Sequence, residues 1–238
     1  MSATTHISSN AREVKTANKP AETAEGLDRT MSLLYYSRIR FVTNLIDLLQ
    51  AEQKTAHVVS VYGAGLEGKL FKDDISLRHH YSFANARSHI VHMTTMAFER
   101  FSRHNPNLSL VHVYPGLVIT PAYTDPSLPF WFRAAWSLAG PLVRVSFSIS
   151  PEKAAKRMLF LTSARFAPLS DGRPDDSVVA VGTNGSVGSG SYAVGEDSDT
   201  VHVKKRYDVL QREGFEELVW DHTQDVFACI RSGERFQE

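Results

Sequence analysis

From Met31 to Gln50 the apolar residues Leu34, Ile39, Phe41, Val42, Leu45, Ile46 and Leu49 recur on one broad side of a 3.6-residue period. That pattern predicts a helix, and Asp28 stands where its N-cap belongs. The next apolar run, HVVSVYG from His57 to Gly63, is short and β-branched. Its lack of alternation predicts a strand buried on both faces, as in a parallel sheet. A polar loop, LEGKLFKDDISLRHHYS, leads to FANARSHIVHMTTMAFERFSRHN, where Ala86, Ile90, Met93, Ala97 and Phe101 mark one side of a long helix. Asn105-Pro106 ends it, LSLVHVYPG predicts a second buried strand, and Pro115-Gly116 stops that strand. SISPEKAAKRMLFLTS predicts a helix capped by Ser150, with Pro151 at its first position and Glu152 complementing the helix dipole. VVAVGTNGSVGSGSYAVGEDSD is glycine-rich with weak alternation and predicts a hairpin or loop excursion. EGFEELVWDHTQDVFACI predicts a closing amphipathic helix.

Strands alternating with helices argue for an α/β fold with a parallel sheet. Right-handed crossovers would set the two strands side by side, with helices flanking them. One segment, 128–149 (LPFWFRAAWSLAGPLVRVSFSI), has the length of a membrane span. Arg133 and Arg144 sit inside it and Gly140-Pro141 is expected to break any helix midway, so it reads as an apolar lid or a surface helix touching lipid. The organisation expected is a disordered tail over 1–24 and one domain over 25–238, with 121–149 as the apolar lid.

Composition narrows the function classes. The chain has 238 residues, enough to bury a sizeable core, and its 26 basic residues balance 26 acidic ones. That balance gives no electrostatic case for nucleic acid. The single cysteine, Cys229, excludes an intrachain disulfide, and no CxxC or Cys/His cluster suggests a metal site. The N-terminal stretch has no apolar h-region, so a secretory signal is not expected there; these features fit a reduced, cytoplasmic compartment.

VYGAGLEG contains GxGxxG, with Gly63, Gly65 and Gly68 at the three positions of a loop that cradles a pyrophosphate. The context argues otherwise. Gly68 opens no amphipathic helix, no second strand follows, and Asp73 and Asp74 come too early for the ribose-binding acid. The glycines read better as the lip of a ligand crevice at the carboxyl end of a sheet strand.

Two stretches, HVVSVYGAG and YSFANARSHIVHMTTMAFERFSRHNPNLSLVHVYPGLVIT, together resemble the second half of a short-chain dehydrogenase/reductase. YYSRIRF, NPNLSLVH, YPG and SPE resemble a divergent fungal branch, and the similarity runs roughly from residue 21 to 230. The resemblance implies a Rossmann-like parallel sheet with flanking helices. It also implies a nicotinamide cofactor, NADP or NAD, and a hydrophobic carbonyl or alcohol substrate, in fungal secondary metabolism. Tyr81 matches the family's proton-transferring Tyr. One helical turn on, Asn85 stands where the family has Lys, and Asn cannot supply the charge that stabilises a tyrosinate. His89 and His92 continue the same stripe. At the family's Ser position stand Tyr62 or Gly63, with Tyr62 a substitute hydroxyl donor on the same strand face as Ser60. In YPGLVIT, Pro115 and Gly116 would turn the chain beside the nicotinamide, with the Val118 backbone and the Thr120 hydroxyl meeting its carboxamide and phosphate. The family's TGxxxGxG turn and first strands have no counterpart ahead of the YYSRIRF helix, so the N-terminal strands are expected to be missing or truncated.

Three readings follow. The first is a short-chain oxidoreductase whose Phe130, Trp131, Phe132 and Trp136 cover an apolar substrate. The second is a catalytically inactive, binding or isomerase-like protein using Tyr81 and His89. The third is a peripheral membrane protein docking through 128–149. A homo-oligomer fits any of them.

Overall fold

The computed structural model describes residues 21–51, 55–126, 128–146, 148–171, 178–201 and 203–237. The expected tail lies outside the described residues as far as residue 20. Residues 21–24 are tied down instead: the Arg29 N–H donates to the Ala21 carbonyl, and Arg78 bonds Glu22 as well as the Gly26 and Phe236 carbonyls.

The first helix comes in three pieces: α1 (Arg29–Met31), a π-helical turn (Ser32–Tyr36) and α2 (Ser37–Ala51). Asp28 caps it as expected, its Oδ1 accepting from the Thr30 and Met31 N–H groups. The π turn places Tyr35 and Tyr36 side by side in the core. Their hydroxyls reach the last helix, Tyr35 to Thr223 Oγ1 (2.8 Å) and Tyr36 to His222 Nε2 (2.7 Å). The expected apolar face is only half used, because Ile39 and Val42 are buried while Phe41 and Leu45 are exposed.

The α/β prediction holds. β1 (Ala56–Val61) pairs in parallel with β2 (Leu108–Val113), and α3 (Phe83–His104) forms the crossover between them. β2 is buried throughout and is the central strand. β1 departs from expectation: among the described residues it is an edge strand, with only Ala56 and Ser60 buried and Val61 exposed. A third parallel strand, β5 (Ser191–Val194), lies on the other side of β2, with Val111 opposite Tyr192 and Val113 opposite Val194. The sequence reading put a hairpin or loop there. The glycines set the turns before the strand, while Ser191 to Val194 is fully buried.

Around the sheet, α3 packs on β2, β5 and α7 (Phe215–Arg231), and α6 (Lys204–Arg212) packs on α7. Leu117–Val118 (β3) and Ser148–Ile149 (β4) make a small separate parallel pair. Between them runs α4 (Phe130–Ser146), which continues through Gly140-Pro141 rather than breaking there. Proline cannot donate to the carbonyl four residues back, and that residue, Ser137, is exposed to water. α5 (Pro151–Phe160) starts as predicted, with Ser150 Oγ accepting from the Lys153 N–H.

Candidate functional site

Because all three strands of the main sheet are parallel, their carboxyl ends share one edge. Tyr62-Gly63 follows β1, Tyr114-Pro115-Gly116 follows β2 and Gly195-Glu196 follows β5. That edge is where ligands bind in open α/β sheets.

The glycine loop after β1 is not a phosphate cradle. The Gly63 N–H donates to His112 Nε2 (3.4 Å), Gly65 to Glu67 Oε1 (3.1 Å) and Gly68 to Ser88 Oγ (3.0 Å). All three N–H groups are spent on side chains, and one of those is a carboxylate that would repel a phosphate. The glycines answer to packing instead. Gly65 has a φ of +82°, and a Cβ there would lie 2.9 Å from Val201 Cγ1; one on Gly63 would lie 3.1 Å from Val91 Cγ2. The residues present therefore do not fit a pyrophosphate.

His112, opposite Ser60 on β2, fixes this turn. Full burial lowers it to about 3, with the Arg38 charge adding to the effect. The neutral ring accepts from Gly63 through Nε2, so its proton sits on Nδ1, 2.9 Å from Thr95 Oγ1.

Tyr62 is half-buried at the end of β1. The Arg38 guanidinium lies 5.8 Å from its ring centroid, while Arg38 Nη1 donates to Ser60 Oγ (3.2 Å) and the Val61 carbonyl (2.8 Å). From α3, Arg87 Nε comes to 4.0 Å of the point a Cβ on Gly63 would occupy. Burial raises the Tyr62 phenol above its ordinary value, and Arg87 and Arg38 pull it down.

The stripe Tyr81–Asn85–His89–His92 is divided among different partners. Tyr81 precedes α3 and turns towards Thr30 and Asp28. Burial raises its phenol, the Thr30 hydroxyl opposes that rise and the Asp28 carboxylate adds to it. Asn85 Nδ2 donates to the His80 carbonyl (2.7 Å). His89 is fully buried, with Nε2 accepting from the Phe71 N–H (3.0 Å) and Nδ1 beside the Ile75 carbonyl (3.2 Å). Burial is the main cause that lowers His89 to about 4, so it is neutral. His92 Nδ1 lies 2.9 Å from the Ser88 carbonyl, and burial lowers it too.

After β2, Gly116 takes a φ of +78°, and a Cβ there would meet Glu196 Oε2 at 2.8 Å, so this turn packs against the end of β5. Val118 is paired with Ile149 of β4, and Thr120 is exposed. Beyond it, Trp136 stacks on Tyr123 (4.7 Å) and Phe132 (6.1 Å). Tyr123, Phe130, Arg133 and Trp136 line a cleft of 530 Å³. Only Gly140 of α4 is buried.

Sequence reasoning missed Arg38 and His112 and gave Arg87 no role. The signals were an arginine inside YYSRIRF and a histidine inside the aliphatic run LSLVHV, but neither spacing discloses a partner. Among the described residues no group of His, Cys, Asp and Glu could hold a metal, and no helix is long and apolar enough to cross a membrane.

No protein-family model matches the chain. Among curated proteins it is similar to an oxidoreductase of Emericella nidulans, 35% identical over 215 residues, covering 86% of this chain and 63% of that protein. It is also similar to a short-chain dehydrogenase/reductase of Stachybotrys chartarum, 33% identical over 210 residues, covering 84% of this chain and 58% of the relative. An NmrA-like family domain-containing oxidoreductase of an Aspergillus species is 33% identical over 226 residues, covering 90% and 61%. The chain thus spans less than two thirds of the length of these relatives.

Proposed function

We propose that this chain, similar over most of its length to fungal proteins named as oxidoreductases and as a short-chain dehydrogenase/reductase, is an oxidoreductase acting on a hydrophobic carbonyl or alcohol with NADP or NAD. The observation that carries the reading is the shared carboxyl edge, where Tyr62-Gly63 and Pro115-Gly116 end neighbouring parallel strands. A fungal secondary metabolite of polyketide or terpenoid type is the proposed substrate.

The turn Pro115, Gly116, Val118 and Thr120 is the proposed holder of the nicotinamide end of such a cofactor, because it follows β2 at the shared edge and Thr120 is exposed there. The bound nicotinamide supplies or accepts the hydride. Tyr81 is the proposed proton donor to the carbonyl oxygen, with Tyr62 as a second hydroxyl at the end of β1. With Asn85 in place of a cation, Tyr81 stays protonated at neutral pH, which suits donation and slows the reverse step. The aromatic segment 121–149 closes over the apolar substrate.

Titration with NADPH tests this. A saturable change in nicotinamide fluorescence with a raised melting temperature supports it, and the absence of both sinks it. Tyr81→Phe should then cut turnover about 100-fold or more, the range for one general acid.

A non-redox binding protein on the same scaffold is the second reading, favoured by Asn85 and by the Asp28 carboxylate beside Tyr81. An isomerase using His89 is weaker, because both ring nitrogens are engaged by backbone. A homo-oligomer, a cytoplasmic setting and lipid contact through 128–149 also stand as proposals.

A further inference from the structure

Three groups from different parts of the chain meet at the carboxyl end of β1. Arg38 comes from α2 and is held by Ser60 and Val61 through Nη1 alone, with its guanidinium beside the Tyr62 ring. Arg87 comes from the second turn of α3, with Nε towards Gly63. Among the described residues neither arginine pairs with a carboxylate, and no protein group hydrogen-bonds the Tyr62 hydroxyl. The nearby acid, Glu67, is engaged by the Gly65 N–H and the Tyr207 hydroxyl. Two guanidiniums around a phenol, at a ligand-binding edge and without a counter-charge, form a donor set with no acceptor.

We infer that Arg38, Tyr62 and Arg87 form an oxyanion-binding site, and that its ligand is a carboxylate carried by the substrate. Planar guanidinium forks match a planar carboxylate, and the phenol supplies a further donor. Gly63 lets the chain pass close to α3 beneath these groups, because a side chain there would be driven onto Val91. The substrate is thereby a carbonyl or alcohol compound that also carries an acid group, rather than a neutral one. This rests on the proposed function for calling the ligand a substrate. A phosphate oxyanion offers related chemistry, with a tetrahedral array in place of a planar one.

The test is titration with sodium benzoate at pH 7, read by amide shifts of Tyr62 and Gly63 in NMR spectra, with benzamide and inorganic phosphate as parallel arms. Saturable shifts with benzoate, none with benzamide and weaker ones with phosphate are expected. Arg87→Met, on an exposed helix position, should keep the melting temperature and weaken benzoate about tenfold, the loss of one charge-assisted contact. Tyr62→Phe should weaken it less. Equal response to benzamide, no response, unchanged binding by Arg87→Met, or tighter phosphate binding would overturn the carboxylate assignment. NADPH titration is read separately: loss of cofactor binding with benzoate intact defeats the redox reading and leaves the anion site standing.

Discussion

His112 and His89 sit neutral in the core, where burial holds them at about 3 and about 4. An unfolded histidine titrates near pH 6.5, so below that pH the unfolded chain takes up protons that the folded chain refuses. Their stabilising contribution is complete above pH 6.5 and is lost as pH falls towards 4. Together they cost about 3 kcal/mol between pH 6.5 and pH 5. Urea unfolding at pH 7 and pH 5 should show that loss, and His112→Gln should remove about half of it. A second prediction concerns Gly65, where alanine meets both a positive φ and the Val201 side chain, whereas Gly233 has a positive φ with nothing nearby. Gly65→Ala should cost about 2–3 kcal/mol and Gly233→Ala about 1 kcal/mol, as thermal unfolding will report. At this scale caps such as Asp28 and Ser150 were legible, because each bonds N–H groups two or three residues on. The meeting of Arg38, Tyr62 and Arg87 was not, because it joins two helices to a strand end through the fold.

The helices carrying the site follow their periodicity. α3 was read almost to its ends, and its predicted side positions are buried. Two elements were misread for opposite reasons. β5 is only four residues long and hides among glycines that make turns, yet it is wholly buried. α4 contains Gly140-Pro141, which argues for a break, but an exposed helix loses its missing hydrogen bond to water at little cost. The outward side of α4 carries Trp131, Leu138, Leu142 and Val145, with Leu138 85% exposed. Leu138→Glu should therefore change unfolding free energy by no more than about 0.5 kcal/mol, whereas Ile90→Ala in α3 should cost about 2–5 kcal/mol. If α4 docks on lipid, flotation with anionic vesicles should be abolished by Trp131→Glu; flotation unchanged by that substitution disposes of the lipid role.

Taken whole, the molecule is a small parallel sheet under flanking helices, with its chemistry-bearing turns on one edge. β1 borders an apolar groove of 480 Å³ lined by Phe41, Val42, Leu45 and Phe98. The α/β architecture and the adjacency of the first two strands were legible in the alternation of apolar runs and helices. The edge position of β1 was not, because an aliphatic run reads alike in a central and an edge strand. The GxGxxG spelling was correctly discounted on context, and its N–H groups are indeed consumed by His112, Glu67 and Ser88. The central claim is that this edge handles a nicotinamide cofactor. Titration of the purified chain with NADPH and NADH, followed by nicotinamide fluorescence, tests it most directly. The account predicts saturable binding that weakens when Gly116 becomes valine, since that side chain would collide with Glu196 and fill the turn; no binding of either nucleotide would contradict it.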